Sequence, residues 1–512
     1  MTTEKICMLI AIIVYLLFVL GIGVWFSKRN NSADDFYLGG RKMGPLVTAM
    51  SAEASDMSSW LLMGLPGVAY LTGVADAFWT AVGLAIGTYL NWLIVAKRIR
   101  RYTQKTNSIT IPDFFSDRFR DKNRILMLIA AAVIIIFFVP YTASGFAACG
   151  RLFASLFGMN YQSAMIISAV VIVGYTTLGG FWAASTSDLI QSIIMTISLI
   201  TIVGFGIYSA GGAQAVMDNA RSLPGYLGFD TLYNKATNSA DSYGFLSIFS
   251  TLAWGLGYFG MPHVLLRFMA IKDDKKLKLS RRIATVWVVI SLGIAIFIGI
   301  VGLAMTKVGA ISDLSSGSAA AETVIIKIAD LLGSNGVLLA LLGGVILSGI
   351  LAATMSTADS QLLAASSSVS ENIVKRFFKK DMSDKKAMFI ARLSVIAISV
   401  VAIIIAWNPD SSVFEIVSFA WAGFGAAFGP VVLFALFWRR TNMYGALAGM
   451  ISGGVMVFVW KFLVRPNVAA LNFYELLPAF ILACILIVVV SLLTKEPSKE
   501  VYDEFDEVKA MK

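Results

Sequence analysis

Apolar residues fall into blocks near 20 residues long, and thirteen such blocks can be drawn. They cover about 6–26, 45–66, 74–96, 125–153, 161–180, 188–209, 244–268, 283–306, 336–370, 388–407, 412–438, 443–463 and 474–494. An α-helix needs roughly 20 apolar residues to cross the hydrocarbon of a bilayer. Inside lipid the backbone has no water to bond, so only helices or closed barrels span it, and the ten-residue alternation of a barrel strand is missing. The pattern therefore predicts an all-α integral membrane protein of about thirteen transmembrane helices embedded in the lipid bilayer. The first block is over twenty residues long, lacks a convincing small-residue cleavage site and runs into Lys28 and Arg29, so it reads as a retained anchor helix over 1–30.

Two blocks are interrupted. The second, PLVTAMSAEASDMSSWLLMGLPG, carries Ser51, Glu53, Ser55, Asp56, Ser58 and Ser59 in its middle, where a continuous lipid-facing helix could not hold them. The seventh, SIFSTLAWGLGYFGMPHVLLRF, is weakened at its centre by Gly255, Gly257, Gly260 and Pro262, through backbone entropy and a missing amide donor. With the anchor set aside, these are the first members of two consecutive five-helix units, about 45–209 and 244–438. Five is odd, so the units are inverted. Broken helices at matching positions of inverted repeats point to a transporter, because freed carbonyls can hold a cation while helix N-termini attract a carboxylate. The expected organisation is the anchor, a ten-helix core over 41–440, two further helices over 441–494 and a charged, mobile tail over 495–512. Segment 320–333 has a helical apolar period and is expected as a short amphipathic helix on the outer surface.

Charge orients this arrangement. Alternate loops, around 28–42, 97–124, 177–187, 267–282, 375–392, 439–440 and 495–512, hold about four-fifths of the 41 Lys and Arg residues. The positive-inside rule then sets the N-terminus outside and the C-terminus in the cytoplasm of a multi-pass plasma-membrane protein. The net charge of +10 sits beside apolar spans as a topology signal, which argues against nucleic-acid binding. Cys7, Cys149 and Cys484 have no paired spacing and read as small core residues. No P-loop, HExxH or GxSxG pattern is present, so neither ATP hydrolysis nor a common hydrolase is supported, and the chain is not expected to be an enzyme.

Asp56 is the sharpest single candidate for chemistry, since a carboxylate at membrane depth costs roughly 3 kcal/mol unless solvated or paired. Glu53, one turn earlier, could instead face an aqueous vestibule. In the ninth block Ser356 and Thr357 are candidate cation ligands, because neutral hydroxyls and unwound carbonyls suit a small hard cation. Tyr141, Trp254 and Tyr258 could wall a solute pocket, each with one polar tip. The lone His263 follows Pro262 at the expected break and reads as structural.

Several ordered blocks resemble the sodium/solute symporter family, and within it the proline-carrying members. They are DDFYLGGRKMGPLVTAMSAEASDMSSWLLMGLPG at 34–67, YTTLGGFWAASTSDLIQ at 175–191, WGLGYFGMPH at 254–263, AATMSTADSQLL at 352–363, AWAGFGAAFGPVVLF at 420–434 and RRTNMYGALAGM at 439–450. The resemblance implies the leucine-transporter fold with two inverted five-helix repeats, a co-transported sodium ion and L-proline as cargo. It implies sodium held by carbonyls of Ala54, Met57 and Ala353 and hydroxyls of Ser356 and Thr357, with Asp56 governing affinity from close by. Ser58, Trp60, Tyr141, Trp254, Tyr258 and Pro262 would line the solute pocket, and Arg41 and Asp188 would influence coupling on the cytoplasmic side. The chain departs from the family pattern at Glu53 and Ser59, where small residues are expected, at Met261 in place of Gln, and at Asp359, an added carboxylate.

The expected function is sodium-driven uptake by alternating access. Other cargoes open to the same machine are a betaine, a sugar, pantothenate or a monocarboxylate. Rival classes are a sodium-binding sensor, against which the lack of an output domain argues, and a membrane enzyme, which lacks a catalytic constellation.

Overall fold

The computed structural model describes residues 1–27, 33–378 and 382–511; Lys28 and Arg29, read above as the end of the first span, lie outside the described residues. Ten helices among the described residues are long and apolar enough to cross a membrane. The other three expected spans are helical but fall short as single spans. Pro45–Ser59 and Leu65–Thr72 are separate helices joined through Trp60–Gly64, while Tyr161–Thr177 and Phe245–Gly260 are short. At the two broken blocks the polar or glycine-rich interruption that marks the sequence is what shortens the helix, whereas Tyr161–Thr177 is the first part of the longer helix Tyr161–Ser209.

The first broken helix is central. Pro45–Ser59 packs against the long helices Tyr161–Ser209, Leu277–Lys307 and Val337–Ser367, and against Pro262–Ala270 from the second broken segment. The 3-10 segment Ala253–Gly260 lies between Val74–Leu90 and Val413–Phe437. Its glycines are needed for that approach. A Cβ on Gly255 would stand 2.2 Å from the Gly83 carbonyl, and one on Gly260 2.1 Å from the Phe424 carbonyl. Met443–Val459 and Leu476–Leu493 pair with each other beside Val413–Phe437, and the anchor Thr3–Ser27 lies along Val337–Ser367.

Three expectations change. The loop expected after residue 180 is a single reversed residue, Gly180 (φ 64°, ψ −170°), and the helix continues on both sides of it, because glycine alone accepts that backbone without a side-chain clash. Segment 320–333 is helical but not a surface element: Val324, Ile325, Ile326, Ile328, Ala329 and Leu332 are buried, and the helix Val324–Gly333 packs on Val337–Ser367. The tail is ordered as the helix Lys499–Ala510, whose Val501, Phe505 and Val508 are buried. Its acids pair with basic loops, Glu504 with Arg120 at 2.6 Å and Asp506 with Arg439 at 3.2 Å.

Candidate functional site

The first helix breaks at Ser58, a buried non-glycine residue with φ 49° and ψ −171°. L-residues avoid that region at a cost of about 1–3 kcal/mol, and such strain gathers at functional sites. The break lets nearby carbonyls turn out of the helix. The Ser356 hydroxyl, on Val337–Ser367, donates to the Ala54 carbonyl at 2.8 Å and lies 3.1 Å from the Ala353 carbonyl. The Thr357 hydroxyl donates to Ala353 at 3.0 Å. Ala54, Ala353, Ser356 and Thr357 thus form one buried oxygen cluster. The Met57 carbonyl, in the turn before the break, accepts the Trp60 amide. Such a set of neutral oxygens suits a hard monovalent cation. No group of three or more His, Cys, Asp or Glu placed to hold a metal occurs among the described residues.

Asp56 is buried beside this cluster. Its backbone carbonyl accepts the Tyr141 hydroxyl at 3.0 Å, and its carboxylate Oδ1 lies 3.9 Å from the His263 Nε2. Ser58 accepts the Trp60 amide at 3.0 Å. Above the break stands an aromatic layer, with Trp60 and Trp254 rings 5.4 Å apart, Trp254 stacked on Tyr474 at 5.2 Å and Tyr258 edge-on to Trp421 at 5.0 Å. The Trp421 indole fixes the second break by donating to the Trp254 carbonyl at 2.8 Å. Met261 is extended there (ψ 108°) and Pro262 opens the next helix, where its missing amide costs nothing. A cavity of about 640 Å³ reaches Trp254, Phe414 and Tyr474 and includes Asp76, Glu322 and Lys461 in its walls. Asp56, Ser58, Tyr141 and Tyr258 are buried and do not line it.

Asp188 is fully buried, and its Oδ2 accepts the Ser51 hydroxyl at 2.6 Å and an Arg267 Nη2 at 3.2 Å. Arg267 also donates to Ser360 Oγ at 2.6 Å and to Ser51 Oγ at 3.0 Å. Ser360 in turn bonds the Ser356 carbonyl at 2.9 Å and Asp359 Oδ1 at 3.3 Å. One chain of bonds therefore connects Asp188 to the oxygen cluster. Asp359, unexplained by its sequence position, belongs to this network. Arg41 sits in a turn (φ 53°) and donates to carbonyls of Thr103 (3.0 Å), Ser108 (2.6 Å) and Met269 (2.9 Å), clamping two helices to the first.

Sequence reasoning missed Arg267, counted among inner-loop charges, the wall residues Phe414 and Tyr474, and Trp421, which packs on Tyr258. Trp421 lies in the block AWAGFGAAFGPVVLF, whose small residues announce close packing around it, and that signal could have found it.

Two interrupted helices in the core, with a buried cluster of neutral oxygens where the break of the first meets Val337–Ser367, define a secondary transporter. The chain belongs to the sodium:solute symporter family, whose sequence profile it matches over residues 36–453. It is 42% identical over 493 residues to the high-affinity proline transporter PutP of Bacillus subtilis, covering 96% of this chain and 98% of that one. It is 41% identical to the sodium/proline symporter of Escherichia coli, over 98% of this chain and 96% of that one. Among solved structures it resembles a sodium-coupled sialic acid symporter in a substrate-bound outward-open state, with a TM-score of 0.78 at 17% identity, covering 96% of this chain and 99% of that one. MhsT in complex with L-phenylalanine gives 0.55 at 15% identity, over 88% of this chain and 98% of that one. The fold is thus the leucine-transporter type, a multi-pass membrane architecture.

Proposed function

We propose that this chain takes up L-proline by coupling it to inward sodium flow through alternating access, with its N-terminus outside and its C-terminus in the cytoplasm. The observation that carries the reading is the Ser356 hydroxyl meeting the Ala54 carbonyl at 2.8 Å across the break of the first core helix. Sodium is held by the carbonyls of Ala54, Met57 and Ala353 and the hydroxyls of Ser356 and Thr357, and Asp56 sets its affinity through the field. Ser58, Trp60, Tyr141, Trp254, Tyr258 and Pro262 line the solute pocket. Arg41 and Asp188 transmit closure to the cytoplasmic side within the core 41–440. The near-complete match to proline transporters at about 40% identity supports the cargo.

Coupling follows from differential binding to two states. Sodium orders the strained turn at Ser58, which completes the aromatic pocket before the bundle rocks inward. A zwitterionic solute adds no net charge, so each sodium ion brings about 2.3 kcal/mol per 100 mV. A tenfold gradient adds about 1.4 kcal/mol per ion. The reading involves no chemical conversion of the solute.

Uptake of radiolabelled proline into proteoliposomes tests it, with an inward sodium gradient against a potassium control and Asp56→Asn alongside. Sodium-dependent accumulation that weakens in the variant is expected. Sodium-driven uptake of a different solute with none of proline would overturn the cargo.

A further inference from the structure

The helix Leu277–Lys307 and the part of Tyr161–Ser209 beyond Gly180 are neighbouring spans. Val286, Val289 and Ile290 on the first and Ile193, Ile197 and Ile200 on the second are exposed, so this side of the bundle faces lipid. A groove of about 460 Å³ runs between them. One wall is a single helical stripe at positions 283, 286, 287, 290, 291 and 294, and the other includes Thr196 and Leu199. The buried Met50 of the broken helix Pro45–Ser59 also lines it.

The polar groups of this lining are already bonded to protein. The Trp287 indole donates to Thr196 Oγ1 at 2.9 Å, Thr196 donates to the Ser192 carbonyl at 2.7 Å, and the Ser291 hydroxyl donates to the Trp287 carbonyl. What is left is almost wholly carbon, which offers a polar solute or an ion no ligand. The one charge in the lining is Arg282, exposed and without an ion pair among the described residues. Lys278, four residues earlier on the same face, is equally exposed and unpaired among them. Like charges at that spacing repel, and the helix dipole disfavours cations in the first turns. Leu277–Lys307 contains no acid to answer them. The acids just before it are engaged, Asp274 with Arg101 at 2.6 Å and Asp273 with the Lys275 amide at 2.9 Å.

We propose that this groove holds one anionic phospholipid, its phosphate between Lys278 and Arg282 and an acyl chain along the stripe against Met50. From Arg282 to Ile294 the helix rises about 18 Å. One leaflet of hydrocarbon is about 15 Å thick, half of the bilayer core, so the groove matches the depth of a single chain. A soluble anion would answer the two cations and leave the carbon groove empty, and an uncharged lipid would do the reverse. An anionic phospholipid does both. Its chain then touches the same helix whose break, eight residues beyond Met50, carries the oxygen cluster.

Native mass spectrometry of the purified full-length protein tests this, with lipid stripped in detergent and phosphatidylglycerol or phosphatidylcholine of the same chains added back. The wild type should hold its first phosphatidylglycerol at least about fivefold more tightly than phosphatidylcholine, the worth of one basic residue beside anionic lipid. Arg282→Gln should remove that preference. Val286→Trp, which fills the groove, should weaken phosphatidylglycerol binding several-fold, and Arg392→Gln, at another exposed arginine near the start of Asp384–Ile405, should change nothing. Equal affinity for the two lipids in the wild type, or a preference that survives Arg282→Gln, overturns the proposal. Binding that Val286→Trp leaves intact, or that inorganic phosphate fully displaces, means that only a head group is held at the surface and overturns it too. Neither sodium nor solute is present, so the outcome does not depend on which cargo the chain carries.

Discussion

The Ser356 hydroxyl donates to the Ala54 carbonyl at 2.8 Å, joining two helices through residues 302 positions apart in the chain. Neither residue is charged, and the contact exists only because the first helix breaks four residues after Ala54. Ser356 also touches its own helix at the Ala353 carbonyl, so a single hydroxyl ties the oxygen set together.

Ser356→Ala should therefore raise the sodium concentration for half-maximal uptake by about tenfold or more, since one lost neutral ligand is worth roughly 1–3 kcal/mol. The maximal rate at saturating sodium should fall much less. Ser366→Ala is the control, because that hydroxyl bonds only the Leu363 carbonyl of its own helix, at 3.0 Å. Sodium titrations of uptake check both, and equal shifts in the two variants would count against the ligand set.

Gly255→Ala should abolish transport. The added methyl would meet the Gly83 carbonyl at 2.2 Å, and a Cβ added at Gly87 would likewise stand 2.3 Å from the Gly255 carbonyl. Both neighbours are backbone and cannot turn aside, so the second broken segment must shift off Val74–Leu90. Gly293→Ala meets nothing within 4 Å and should keep full activity, with a small gain in stability from the lower backbone entropy of alanine. Uptake and thermal unfolding of the two variants, prepared side by side, check the contrast.

The broken helices were legible because their causes are local: a run of polar residues around Ser58, and glycines followed by Pro262. The partners of the site were not. Arg267 lies at the end of an apolar block and counts as one more inner-loop charge, yet it is buried against Asp188, 79 residues away. Glu322 reads as the polar face of a surface helix, because nothing near it in sequence announces Arg151 or the amides it serves. Gly180 looks like a loop for the same reason that it is a reversal within a helix: composition shows a break without showing how short the break is. Periodicity reports which face of a helix is apolar, and pairings across tens or hundreds of residues leave no mark in it.

The terminal helix Lys499–Ala510 should be protected as a unit. Phe505 is buried and lies 5.2 Å beneath the guanidinium of Arg118, itself fully buried. Phe505→Ala removes that contact and leaves the helix held by the smaller Val501 and Val508 and by ion pairs that are mostly exposed, each worth about 0–1 kcal/mol. Hydrogen exchange at residues 501–508 should speed up by at least tenfold in the variant, and raised salt should add to the effect by screening the remaining pairs. Unchanged exchange would mean that the charges, not the ring, hold the tail.

Glu322 organises one end of the core. Its carboxylate accepts the amides of Val413 and Phe414, each at 3.0 Å, and the Ser412 hydroxyl at 2.8 Å, and it pairs with Arg151. The negative charge thus caps the N-terminus of Val413–Phe437, where the helix dipole favours it, and Glu322, Ser412 and Phe414 all line the cavity of about 640 Å³. Both members of the pair are buried, so removing one leaves the other uncompensated, at about 3–5 kcal/mol. Glu322→Gln should lower the unfolding temperature in detergent markedly. Arg151→Met should do the same, and the double variant should lose less than the sum of the two singles, because it removes the stranded charge. If the losses simply add, the two side chains act separately and Glu322 is a helix cap whose pairing with Arg151 carries no weight.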